Sequence, residues 1–263
     1  MNPTNAMSGW RWMKDAFQLF KMRPFELIFA VFGLLLCSLV LGSIPLVGPV
    51  TAFLCGPLLA VGVAQVCRNV QTGQTANAAV LFVSFRSPAR FSLLVLGLAQ
   101  FVATVISLYL ASLVDDGFFV EFYNNPRLLD VKEGQDLALT RQLYWRFLQS
   151  FALSRLIYLP AMMAFWFAPY LIAWHGMTAT KASFYSFFAV WRARMAFLTY
   201  FFACTALLIA ISLGFGLLAS LHAGIASVVN ALSFPLMILL VTVFYCSFYT
   251  SYSAVFDRAE TVV

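Results

Sequence analysis

Carboxylates are scarce in this chain, ten among 263 residues, and none lies well inside its long apolar runs. Acids buried in a bilayer are costly and mark proton or ion paths, so their absence argues against proton- or sodium-driven transport. There are two histidines, His175 and His222, and five cysteines, Cys37, Cys55, Cys67, Cys204 and Cys246. No set of these stands at ligand spacing, so no metal site is expected. The cysteines read as small apolar packers rather than a disulfide frame, and Cys67 beside Arg68 is a weak acceptor motif for a lipid chain. Nucleophile elbows, phosphate-cradling loops and dinucleotide fingerprints are missing. The Gly214-Phe215-Gly216 triplet sits inside an apolar run, where it serves close helix approach. The sequence therefore predicts no enzyme and no cofactor.

What is abundant is apolar surface. Hydrophobic residues make up 62% of the chain and charged ones 10%, with a mean hydropathy of +0.89, against an apolar share of about 45–50% in soluble domains. Lipid must cover the excess. A crossing helix needs about 20 mainly apolar residues, which gives spans from Phe25 to Val47, Pro49 to Val66, Phe91 to Val114, Leu156 to Trp174, Ala196 to Leu221 and Val228 to Phe256. Barrel strands alternate over about 10 residues, and these runs do not. The prediction is an all-α integral membrane protein, one domain over 1–263, with about six transmembrane helices arranged as three hairpins. Gly48, Pro49, Gly56, Pro57 and Gly62 interrupt the second span, so a re-entrant segment is an open alternative there. Pro160, Pro169 and Pro235 are expected to kink their spans.

Orientation follows the bases. Arg11, Lys14, Lys21, Arg23, Arg68, Arg86, Arg90, Lys181, Arg192, Arg194 and Arg258 fall on the termini and on alternate connections, against four acids there, Asp15, Glu26, Asp257 and Glu260. The third connection, between Val114 and Leu156, holds the other five bases, Arg127, Lys132, Arg141, Arg146 and Arg155, with six acids. The positive-inside rule then places both termini in the cytoplasm and 115–150 outside, as a periplasmic loop in which Leu137 to Phe151 can be helical. The first run is too long for a signal-peptide core and lacks a small-residue cleavage site after it, so no cleaved leader is expected. Glu26 reads as a helix-start anion after Pro24, and Arg155 as a base snorkelling to headgroups.

A weak triple repeat precedes alternate spans. Phe17, Phe20, Lys21 and Arg23 precede the first, Phe82, Phe85, Arg86 and Arg90 the third, and Phe188, Trp191, Arg192 and Arg194 the fifth. Segments 8–23, 76–87 and 180–194 thus read as amphipathic interfacial helices, each feeding a hairpin. In the first, Trp10, Met13, Phe17 and Phe20 form a ring face opposite Arg11, Lys14, Asp15, Gln18 and Lys21. In the third, Phe184, Phe187, Phe188 and Trp191 share a face. Such a helix lies in the headgroup plane and favours anionic lipid. The alternatives are that aromatics and bases collect at every membrane boundary and that these faces pack on the bundle itself. The candidate lipid- or partner-binding residues are Trp10, Lys14, Phe17, Phe20, Lys21, Arg23, Arg86, Arg90, Trp191, Arg192 and Arg194. Gln65, Gln100 and His175 are the polar candidates within or at the ends of spans, hydrogen-bonding between helices or lining a path. The bases sit at membrane boundaries rather than on one soluble face, so the expected partners are membrane lipids, anionic phospholipid above all, and a membrane protein or second copy, not nucleic acid.

The segments Gly9 to Pro24, Ile44 to Pro49, Phe165 to Met177 (FWFAPYLIAWHGM), Ala189 to Tyr200 and Phe244 to Phe256 resemble an uncharacterised family of proteobacterial inner-membrane proteins. More distantly they are similar to the membrane domain attached to some glycerophosphodiester phosphodiesterases. The resemblance spans nearly the whole chain and implies a polytopic inner-membrane protein. That enzyme's catalytic domain has no counterpart in this sequence, so its chemistry is not carried over. Two functions remain: a non-catalytic module that organises lipid or a partner, and a carrier or channel for a lipid-like or weakly polar solute.

Overall fold

Every regular element among the described residues is helical, and six stretches are long and apolar enough to cross a membrane. The computed structural model describes residues 5–75, 77–118, 121, 124–125 and 137–256. The expectations placed on Arg127, Lys132 and the acids of 126–136, and on the tail residues Asp257, Arg258 and Glu260, lie outside them.

Helix α1 (Met7–Met22) leads into α2 (Pro24–Gly42). Pro24 opens α2 where its missing N–H costs nothing. Glu26 sits in the first turn, as expected of an anion at a helix start, and accepts from Arg23 Nη1 at 2.8 Å. A short turn, with Leu46 at positive φ, joins α2 to α3 (Gly48–Gln71). Helix α3 is unbroken through Pro57 and long enough to cross a membrane, without the interruption expected there. It survives because neighbours enclose it: Leu58, Leu59, Val61, Val63, Ala64 and Val66 are all buried, and surrounding protein makes up for a proline in a spanning helix. Gly62 is a close-approach point rather than an interruption, and Gly97 of the next helix is another. A Cβ on Gly62 would collide with the Leu81 backbone, and one on Gly97 would come within 2.7 Å of Leu54 Cα in α3.

The backbone that rests on Gly62 belongs to Ala78–Arg86, which is a 3-10 segment and not the amphipathic α-helix expected over 76–87. Asn77 Oδ1 caps it by accepting from the Ala79 N–H at 3.1 Å. Leu81 and Ser84 are buried while Phe82 and Arg86 are exposed. Helix α4 (Arg90–Ser112) follows. Helix α5 (Leu137–Phe165) begins well before the predicted Leu156, so the helical stretch expected over Leu137 to Phe151 runs on without a break into the fourth span. An apolar-run rule stops at a charge, but helical hydrogen bonding does not. Arg146 lies over the Phe118 ring at 4.9 Å and Arg155 over Phe151 at 4.8 Å.

Helix α5 stops at Phe165 and α6 (Ala168–His175) starts three residues later. Pro169 cannot donate to the carbonyl of Phe165, so it opens a new helix instead of kinking a span. Ser186 holds the break. Its hydroxyl accepts the Phe167 N–H and donates to the Met163 carbonyl, both at 2.9 Å, filling the place of the missing helical bond. Pro160 and Pro235 lie inside continuous helices. Gly176, at φ 60°, ends α6, and α7 (Ala179–Arg192), α8 (Arg194–Leu221) and α9 (Ala223–Phe256) complete the chain.

Helix α3 packs between α2 and α4, α4 on α5, and α5 on α7; α9 packs on α8, α1, α2 and α3. The buried core gathers toward one end, where the start of α8 and the end of α9 contribute Ala196, Tyr200, Cys246, Tyr249, Tyr252 and Val255. The other halves of α8 and α9 are largely exposed.

Candidate functional site

Helix α1 is held against the bundle along one side. Gly9 lies against Ala196 and Tyr200 of α8, where a Cβ would collide with the Ala196 carbonyl oxygen. The Trp12 carbonyl accepts from Thr250 Oγ1 of α9 at 2.9 Å. Arg23, just past the end of α1, donates to the carbonyl of Gly73 beyond α3 at 3.3 Å. The inward stripe is Gly9, Trp12, Ala16, Leu19 and Phe20. Phe20 therefore faces protein and leaves the lipid-facing set, and Met13 packs partly buried against the core. Trp10 and Phe17 stay exposed, on the same side as Lys14 and Lys21, and Lys21 Nζ lies 4.6 Å from the Phe17 ring. Rings and bases share one face.

Helix α7 repeats that design. Ala182, Ser186, Ala189 and Val190 point inward, while Lys181, Phe184, Tyr185, Phe188, Trp191 and Arg192 are exposed. Arg194, at the start of α8, lies over Trp191 at 6.0 Å. Phe187 stacks on Trp191 at 6.3 Å but is only half exposed. The 3-10 segment presents Phe82 and Arg86, and Arg90 follows over Phe91 at 4.9 Å.

Between the ends of α3, α6 and α9 lies a polar-aromatic cluster that sequence reasoning saw only in part. Trp174 Nε1 donates to Gln65 Oε1 at 3.2 Å, and Gln65 Nε2 donates to Asn69 Oδ1 at 2.9 Å. His175 Nε2 meets the Tyr252 hydroxyl at 2.7 Å, and Tyr249 donates to Gln71 Oε1 at 2.6 Å. The Trp174 ring stacks on Tyr170 at 5.6 Å and meets Tyr252 at 5.0 Å. Arg68 sits over it at 5.3 Å. Beneath, Cys67 and Cys246 bring their sulfurs to 3.8 Å, both thiols free. Gln65 and His175 are thus drawn into one cluster, whereas Gln100, ten residues into α4, is not. Tyr252, Tyr249 and Arg68 were missed. A pattern of tyrosines three apart near a helix end was the available signal, but nothing local pairs it with residues 77 and 178 positions away. Among the described residues no three His, Cys, Asp or Glu side chains come together.

No protein-family model matches this chain, and no solved structure matches it. It is 29% identical to a Burkholderia thailandensis protein named a probable inner membrane protein, over 97% of this chain and 93% of that one. With six helices of crossing length, that decides the class. The chain is a multi-pass membrane protein. The similarity points to the bacterial inner membrane as its compartment.

Proposed function

We propose that this protein is a non-catalytic module of the inner membrane that gathers anionic phospholipid, or a membrane partner carrying it, at its cytoplasmic face. The observation that carries the reading is the shared build of α1 and α7, inward stripe tight on the bundle, outward face of rings and bases. Under the positive-inside rule that end is cytoplasmic, with three hairpins behind it and both termini on the same side. The contact of Trp12 in α1 with Thr250 near the end of α9 supports a common side for the two ends. The carrier reading has less support, because the Gln65 amide is committed to Trp174 and Asn69.

Each base near an anionic surface contributes about 1 kcal/mol. Replacing Lys14, Lys21, Arg192 and Arg194 with Gln removes about 4 kcal/mol by that figure, close to a thousandfold in partition. Native mass spectrometry of the full-length protein in mild detergent tests it. The variant should keep its fold and lose retained phosphatidylglycerol. Retention equal to that of the unaltered protein would reject the role.

A further inference from the structure

We propose that Arg68 and Trp174 form a discrete site for one phosphate group of an inner-leaflet phospholipid, separate from the aromatic-basic faces of α1 and α7. The other cation–ring pairs at this end, Lys21–Phe17, Arg90–Phe91, Lys181–Tyr185 and Arg194–Trp191, form between near neighbours in the chain. The Arg68–Trp174 pair instead joins two helices 106 positions apart, and its indole is fixed on several sides. Gln65 holds the N–H, Tyr170 stacks on the ring, and Tyr249 and Tyr252 abut it at 6.1 Å and 5.0 Å. So much support for one exposed base orders a cation.

Stacking occupies the face of a guanidinium and leaves its N–H donors in the plane, where they match phosphate oxygens in pairs. Among the described residues no side-chain acceptor takes the donors of Arg68, whereas those of Arg23 go to Glu26 and the Gly73 carbonyl. Arg68 stands in the last turn of α3, where on the membrane-module reading that helix leaves the bilayer, and tryptophan and tyrosine are the rings of such a boundary. A phosphate held there at headgroup depth is a lipid's rather than a soluble anion's. The site rests on the membrane-module reading for its depth but not on the bases of α1 and α7.

The test uses full-length protein in mild detergent, titrated with phosphatidylglycerol and with inorganic phosphate, and native mass spectrometry of the adducts. The expected result is one adduct of phosphatidylglycerol that outlasts the others, weakened at least about tenfold in both Arg68→Gln and Arg68→Lys. The lysine variant keeps the charge and loses the planar fork. Thermal midpoints within error of the unaltered protein confirm that both variants fold. An adduct that persists in Arg68→Gln overturns the proposal, as does full retention in Arg68→Lys. Displacement by inorganic phosphate overturns the lipid as the source. The Lys14, Lys21, Arg192, Arg194 variant separates the two readings, since it should lose bulk lipid while keeping this single adduct.

Discussion

Removing one hydroxyl, that of Ser186, should unlatch α6. Its oxygen is buried and serves both the Phe167 N–H and the Met163 carbonyl at 2.9 Å, the two groups that an unbroken helix would have joined to each other. Ser186→Ala strands a donor and an acceptor together. In membrane proteins one such side-chain bond is worth about 0.6 kcal/mol on average and about 1.7 at most, whereas a buried group left unpaired in a soluble protein costs about 1–3 kcal/mol. Ser186 is enclosed by protein, where the second figure applies better, and the Pro169 break keeps Phe167 and Met163 from re-pairing. The expected loss is about 2–3 kcal/mol in all. Ser154→Ala is the matched control. Ser154 is also buried, but its hydroxyl donates only to the carbonyl of Phe151 one turn back in its own helix, so its loss should cost about 0.5 kcal/mol or less. Unfolding in mixed detergent micelles with rising dodecyl sulfate, followed by a thiol-reactive fluorophore, reads both. The buried thiols Cys67 and Cys246 report loss of the packed end. If Ser186→Ala unfolds within about 0.5 kcal/mol of Ser154→Ala, the bridging account is wrong.

Copper-phenanthroline oxidation should link Cys67 to Cys246, because their sulfurs need to close from 3.8 Å to about 2.05 Å. A linked peptide pair in the digest supports the α3–α9 contact, and recovery of Cys67 and Cys246 only as unlinked peptides would contradict it. Gly9→Leu should lift α1 from α8, since even a Cβ there meets the Ala196 carbonyl and lies 2.7 Å from the Tyr200 nitrogen. Overpacking of this kind costs about 1–3 kcal/mol, and trypsin should then cut faster at Arg11, Lys14 and Lys21. An unchanged digestion pattern would show that Gly9 does not set that contact.

Hydropathy made the six crossings legible, because a bilayer imposes its own length on any helix that spans it. The helical start at Pro24–Glu26 was legible for a local reason, being a matter of cap chemistry. The 3-10 segment was not. Its conformation is set by Gly62 of α3, which admits the Leu81 backbone, and no residue of 78–86 announces that neighbour. Helix α5 was cut short at Arg155 because charge ends an apolar run without ending a helix. In α1 the rings at 10, 13, 17 and 20 looked like one face, yet Trp12, Ala16 and Leu19 form a second apolar stripe. A helix with two such stripes does not reveal which one meets protein. Burial of Trp12 settles it and carries Phe20 inward. Of the candidate site, the exposed bases and rings of α1 and α7 could be read from their spacing, while Arg68, Tyr249 and Tyr252 acquire their meaning only across helices.

The segments richest in aromatics converge on one end of the molecule, and that has a mechanical consequence. Half of the most apolar stretch of α3 is buried, against none of the corresponding stretch of α8. Side-chain hydrogen bonds between helices also concentrate near that end: Tyr200 with Ser247 at 2.5 Å, His175 with Tyr252, Tyr249 with Gln71, and Trp174 with Gln65. Helices driven together in lipid gain little from apolar contact alone, because hydrocarbon solvates leucine as well as another leucine does. Polar pairs and close backbone approach therefore decide where the bundle is stiff. Here they stiffen the end that bears the exposed bases, while the opposite half of α8 has few such ties. The proposed holding of charged headgroups would need cations on fixed elements, since each one left free to move loses affinity to ordering. The placement of Trp12, Ser186 and Trp174 beneath or beside those cations meets that requirement.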